Sequence, residues 1–279
     1  MSMKTALIQL CSGDDPVENL DRTQALVGQA ADAGAGFVLT PEVTNCVSTS
    51  RAHQTEVLNT EEQDPTLRAM CALADDRSIW VLIGSLALKT DDADGRFANR
   101  SFLISPDGAI RARYDKIHMF DVDISETEKY RESSGYRPGE SAVIAPTPFG
   151  LLGLSICYDV RFPHLYRDLA QAGAEVLTVP SAFSPVSGAA HWHSLLRARA
   201  IETGSYVLAP AQVGTHPATQ GKRRETYGHS LAISPWGQII AEAEGGPGVI
   251  YIDLDRTEVA QARQRIPSLL HDRAFKGPA

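Results

Sequence analysis

Apolar and polar residues change their period along this chain, and the changes mark out its elements. "KTALIQL" is a short unbroken apolar run of the length of a buried strand, and "PVENLDRTQALVGQAADAG" follows at helical spacing, with proline at its start and Gly34 at its end. "GFVLTPE" predicts a second strand, "EEQDPTLRAMCALADDR" a second helix and "SIWVLIGSLAL" a third strand, the alternation of a layered α/β fold. In "RFANRSFLISPDGAIRARYDK" two strands flank the turn "SPDG", a hairpin signal in which glycine supplies the unusual backbone angles. An irregular charged segment runs from Asp121 to Glu140, after which "FGLLGLSIC", "PHLYRDLAQAG", "EVLTVPSA", "AAHWHSLLRARAIETG" and "YVLAPAQ" resume the strand–helix alternation. A second Ser-Pro-x-Gly hairpin, at Ser234 to Gly237, closes the pattern. Each half thus carries strand–helix units and one hairpin, and two such halves would pack sheet to sheet. No low-complexity linker separates them, so residues 1–279 read as one domain.

Composition narrows the partners. The chain has 34 Asp and Glu against 26 Lys and Arg, a formal charge of −8, which argues against general binding of nucleic acid or anionic membranes and favours a small substrate. The amino-terminal apolar run is short and lacks a small-residue cleavage site, and no window approaches the roughly 18 apolar residues of a membrane span. A soluble, cytoplasmic protein is expected. Cys11, Cys46, Cys71 and Cys157 lie far apart without a C-x-x-C pair, so neither disulfides nor a zinc ribbon are expected.

One cysteine has a setting that suits chemistry. Cys157 sits where an apolar strand gives way to "YDVRFP", and a following helix would aim its amino terminus, with its dipole and free N–H groups, at the thiol. Cys71 lies in the amphipathic helix, and Cys11 and Cys46 lie in or after strand-end loops with no charged neighbour. A thiol nucleophile needs a base, and a cation or N–H donors for the oxyanion. Glu42 in "VLTPEV" and Lys116 in "RARYDKIHMFD" stand just beyond apolar runs, so three charged or nucleophilic groups lie at strand ends, where α/β sheets gather such residues. Other features are discounted. His191 and His193 of "HWH" project about 200° apart on a helix and cannot share one ion. "GKRRE", residues 221 to 225, reads as a solvated loop or as an entrance that attracts anions. Arg161 reads either as a partner of Asp159 or as a substrate-binding residue.

Together these segments resemble the nitrilase, or carbon–nitrogen hydrolase, superfamily over nearly the whole chain: Glu42 in "TPEV", Lys116 in "YDKIHMFDVDI", Glu132 in "YRESSGYRPGE" and Cys157 in "GLSICYDVRFP". "CYDVRFP", "PSAFSPVSGAAHWHSLLRARAIE" and "YGHSLAISPWG" are most similar to its Nit branch, and Tyr158-Asp159 in place of Trp-Glu favours amidase over nitrilase activity. The resemblance implies a four-layer α-β-β-α sandwich that forms a homodimer or larger oligomer. It also implies hydrolysis of a small linear amide through a cysteine thioester, with a deaminated-glutathione-like or 2-oxo ω-amide substrate. Glu42 is then the base and Cys157 the nucleophile, Lys116 and the Tyr158 backbone N–H hold the oxyanion, Glu132 holds Lys116 and the substrate amide, and Arg161 contacts a substrate carboxylate. No metal or organic cofactor is implied. An N-carbamoyl amidohydrolase, a nitrilase and a non-catalytic oligomeric scaffold are the alternatives.

Overall fold

The computed structural model describes residues 2–278 except Ser125 and Thr127. The first half contains β1 (Met3–Gln9), α1 (Pro16–Asp32), β2 (Phe37–Leu39), α2 (Arg51–Val57), α3 (Pro65–Arg77), β3 (Trp80–Leu88), β4 (Ala98–Ile104), β5 (Ile110–Asp115) and a ribbon of β6 (Asp121–Asp123) with β7 (Lys129–Arg131). The second contains β8 (Val143–Thr147), β9 (Gly150–Leu154), α4 (Pro163–Gln171), β10 (Val176–Thr178), α5 (Pro185–Thr203), β11 (Tyr206–Ala209), β12 (Val213–Thr215), β13 (Glu225–Tyr227), β14 (Leu231–Ile233), β15 (Ile239–Glu242), β16 (Gly248–Leu254) and α6 (Arg256–Arg265).

The two six-stranded sheets share one plan. Each has three parallel strands, β1-β2-β3 or β9-β10-β11, continued by an antiparallel pair, β4-β5 or β14-β15. Each is closed at its other edge by an antiparallel strand, β16 against β1 and β8 against β9. Side chains alternate across a strand, and the alternation sorts the first sheet's residues between two cores. Leu7, Phe37, Leu39, Leu82 and Leu103 face inward and share a core with Leu152, Leu154 and Leu177 of the second sheet. Ala6, Ile8, Val38, Val81 and Ile83 face outward beneath Val27 and Ala30 of α1 and Leu67, Met70 and Ala74 of α3. Trp192 and Leu196 of α5 and Leu165 and Leu169 of α4 cover the second sheet. The result is helix, sheet, sheet, helix, as expected from the sequence.

Local differences have local causes. Helix α3 begins at Pro65 and not at Glu61, because the Asp64 side chain accepts from the Leu67 N–H and proline takes the first helical position. Helix α2 and the ribbons β6-β7 and β12-β13 carry no strong periodicity and were not expected; β16 returns across the whole chain to pair Leu254 with Met3. Gly84 lies where the sheets' strand ends converge: a Cβ there would fall 2.0 Å from Thr40 O and 2.5 Å from Pro180 Cβ.

Candidate active site

Strand-end turns deliver the reactive groups. After β2 the chain turns at Val43, whose backbone is left-handed (φ 46°) and whose N–H is taken by Ser85 Oγ at 2.8 Å. That turn directs Glu42 inward. Lys116 follows β5, and Cys157 follows β9 with a left-handed backbone of its own (φ 49°). Such angles cost a non-glycine residue roughly 1–2 kcal/mol, so the surroundings must hold them. Asp159 supplies much of that hold. It is fully buried and accepts from Tyr114 Oη (2.7 Å), the Ile156 N–H (2.8 Å) and the His118 N–H (3.0 Å), tying the cysteine turn to the lysine strand.

Glu42, Lys116, Glu132 and Cys157 meet at the inner end of a cavity of about 880 Å³. Lys116 Nζ is 2.8 Å from Glu42 Oε1 and 2.9 Å from both oxygens of Glu132. Asn99 Nδ2 donates to Glu42 Oε1 at 2.9 Å, the Ala182 N–H to Glu42 Oε2 at 2.9 Å, and the Phe120 N–H to Glu132 Oε2 at 2.6 Å. The Cys157 thiol is buried close enough to Glu42 and Lys116 for both charges to act on it. Among the described residues the Tyr158 N–H has no acceptor within the chain, and Tyr158 itself lines the cavity.

The surroundings of the thiol differ from the helix terminus expected beside it. Residues Cys157–Arg161 form a 3-10 turn, α4 starts only at Pro163, and the Cys157 N–H is spent on Pro180 O at 3.0 Å. Burial and then the Glu42 charge push the thiol well above its usual range, despite the opposing Lys116. Burial alone would raise the Glu42 carboxyl, but the Lys116 charge and hydrogen bond outweigh it and the carboxyl lies below its usual range. Lys116, which burial alone would lower, is held well above the usual lysine range by Glu132 and Glu42. The resting site is thiol, carboxylate and ammonium. Its proton is on sulfur and its base is ready, which suits transfer of that proton during attack and not before it. Cys46 also borders the cavity, but burial and the charges of Asp14 and Asp15 push its thiol up to about 12, and it donates to the Asp14 backbone carbonyl.

Arg161 does not pair with Asp159 and is not among the cavity-lining residues. Its guanidinium lies over the rings of Phe183 (5.4 Å) and Tyr158 (5.9 Å), which do line the cavity, and against His191 Nδ1 at 3.3 Å. The basic run 221–225 instead forms part of the wall. Arg224 Nη2 donates to Ala182 O at 2.6 Å, beside the N–H that holds Glu42, and its guanidinium lies 5.8 Å from the Tyr130 ring centroid. Sequence reasoning missed Asn99 and Asp159. A polar Asn inside the apolar run "FANRSFLI" was the one available signal for the first.

Facing sheets that bring a thiol, a carboxylate and an ammonium to one enclosed point define a hydrolase of carbonyl–nitrogen bonds with a cysteine nucleophile. The sequence pattern of the carbon-nitrogen hydrolase family matches residues 4–264, and the chain belongs to that family. It is an amidase of the Nit branch of the nitrilase superfamily. It is 40% identical over 271 residues to a deaminated glutathione amidase of Yersinia enterocolitica, covering 96% of this chain and 92% of that protein. Its fold is similar to that of Saccharomyces cerevisiae Nit3, a member of branch 10 of the superfamily (TM-score 0.84, 29% identity, 98% and 96% of the two chains). It is also similar to a variant amidase from Nesterenkonia sp. AN1 whose active-site cysteine carries the acetamide moiety of fluoroacetamide (TM-score 0.76, 26% identity, 94% of each chain).

Proposed function

We propose that the chain hydrolyses the amide of a small carboxylate-bearing acid of the deaminated-glutathione type, releasing ammonia, with Cys157 as the acyl carrier. The observation that carries this reading is the buried contact of Cys157, Glu42 and Lys116 at the end of a cavity whose wall includes Lys129, Lys222, Arg223 and Arg224. An anionic substrate is drawn to such a wall, and the guanidinium of Arg224 can grip a carboxylate bidentately. Arg161, whose guanidinium lies over Phe183 and Tyr158, is assigned the support of those two rings.

Glu42 takes the thiol proton as sulfur attacks the amide carbon, and the carbonyl electron pair moves to oxygen, where the Lys116 ammonium and the Tyr158 N–H stabilise it. The pair returns, Glu42 hands its proton to nitrogen, the carbon–nitrogen bond breaks and ammonia leaves. Glu42 next takes a proton from water, the hydroxyl oxygen bonds to the thioester carbon, and the sulfur leaves and recovers its proton. Glu132 keeps Lys116 and the substrate amide in place. The net change is amide plus water to acid plus ammonia.

On the same reading the chain is a single domain that acts as a homodimer or larger homo-oligomer in the cytoplasm. The exposed Ile201, Trp236, Ile239 and Ile240 support the oligomer; among the described residues no helix is long and apolar enough to cross a membrane. Ammonia release across a panel of acidic and neutral amides tests the substrate class, with intact-mass detection of an acyl group on the protein. Cys157→Ala is expected to abolish both signals while far-ultraviolet dichroism is unchanged. Turnover above a trace in that variant would overturn the assignment.

A further inference from the structure

Away from the cavity, the fold gathers three side chains that are distant in sequence. His193 lies on α5, His229 just before β14, and Glu242 at the end of β15. His193 Nε2 is 2.9 Å, and His229 Nδ1 2.7 Å, from the same carboxylate oxygen, Glu242 Oε1. One ligand atom from each of the three falls within 4.8 Å of the others. Helical spacing rules out a shared ion for His191 and His193, and the structure separates them as expected: His191 turns to Arg161 and His193 to the β14-β15 hairpin.

We propose that His193, His229 and Glu242 form a binding site for one divalent transition-metal ion of the zinc class. Two imidazole nitrogens and a carboxylate oxygen are a three-ligand set that such ions accept, with a fourth position left to water. The side chains of His193, His229 and Glu242 are 32%, 37% and 29% exposed, so that position opens to solvent. Ligand atoms about 2.1 Å from a tetrahedral ion lie roughly 3.4 Å apart, so the imidazoles withdraw by about 0.5 and 0.7 Å from the carboxylate, and the two ring nitrogens, within 4.8 Å of each other, adjust to the same spacing.

The supports are firm where they must be. His193 is in the middle of a 19-residue helix. His229 has a left-handed backbone (φ 56°), its carbonyl accepts from Trp192 Nε1 at 2.9 Å, and its ring stacks on Tyr227 at 4.3 Å. Glu242 pairs with Leu231 in the β14-β15 ladder. Among the described residues no lysine or arginine forms an ion pair with Glu242, so its charge is shared only with the two imidazoles. The ion takes the place of the hydrogen bonds that the two rings otherwise make to Glu242, each imidazole then carrying its proton on the other ring nitrogen. It plays no part in the amide chemistry. Its effect is mechanical: α5 starts at Pro185 and Val186 in the cavity wall, and the ion clips that helix to the hairpin strands behind it.

The test is calorimetric titration of zinc into the Cys157→Ala variant, in which the active-site thiol no longer competes for the ion. One equivalent should bind and raise Tm, and cobalt should bind with visible absorption bands of tetrahedral intensity. His193→Ala and Glu242→Gln, each added to that background and confirmed folded by dichroism, should weaken the binding at least about tenfold. His193→Gln replaces the alanine variant if the latter fails to fold. No binding at micromolar zinc, or binding unchanged in both double variants, would overturn the proposal.

Discussion

Removing the Lys116 amine tests the electrostatic account most directly. In Lys116→Ala, three contacts of 2.8, 2.9 and 2.9 Å vanish, and Glu42 and Glu132, with side chains only 5% and 14% exposed, lose the ammonium that pairs with both. Breaking a buried ion pair from one side costs about 3–5 kcal/mol, because a charge remains buried and unpaired. Loss of an oxyanion donor lowers acylation by roughly 10²–10³-fold. The pH dependence should also change sign. In the natural protein the folded Glu42 carboxyl lies below its usual 4.5, so its contribution to stability is present above the unfolded pKa and lost as pH falls through the folded one. Without Lys116 the principal lowering influence is gone and burial dominates, so the folded pKa rises above the unfolded value of about 4.3. The contribution is then present below pH ~4.3 and lost as pH rises through the raised value. Urea denaturation between pH 4 and 8 and single-turnover acylation measure the two effects. Acylation within about tenfold of the natural enzyme, together with an unchanged slope of stability against pH, would refute the oxyanion role and the charge assignment together.

Two further outcomes follow from the same geometry. With Glu42 below 4.5 and the Cys157 thiol above 9.0, the competent protonation state spans the range between, so kcat/KM should be flat from about pH 5 to 9; an acid limb near neutrality would show that Glu42 is protonated at rest. Arg224→Lys should weaken carboxylate-bearing amides far more than neutral ones, whereas Arg161→Lys should affect both alike through Tyr158 and Phe183; the reverse pattern in KM would return the carboxylate to Arg161.

Much of the molecule follows from short-range pattern. Helical and strand periods, the two Ser-Pro-x-Gly turns and the charged residues just past apolar runs are properties of a few consecutive residues, so the layered architecture and Glu42, Lys116 and Cys157 were legible before any coordinates. The motif around Glu132 was legible only by family resemblance, since nothing in its irregular segment marks it as a partner of a lysine 16 residues away. What the tertiary structure alone decided is what depends on distant segments meeting. The Glu42 carboxylate is held by a lysine 74 residues away and a backbone N–H 140 residues away, and those contacts, with burial, place the resting proton on sulfur. Local sequence puts a helix terminus near the cysteine, but the desolvation that raises the thiol depends on the whole fold and leaves no mark in a few consecutive residues. The exchange of Arg161 for Arg224 in the cavity wall, and the meeting of His193 with His229 and Glu242, have the same origin. Local spacing says which way a side chain leaves its own helix or loop, and only the packing of the second sheet against its helices says what it meets there.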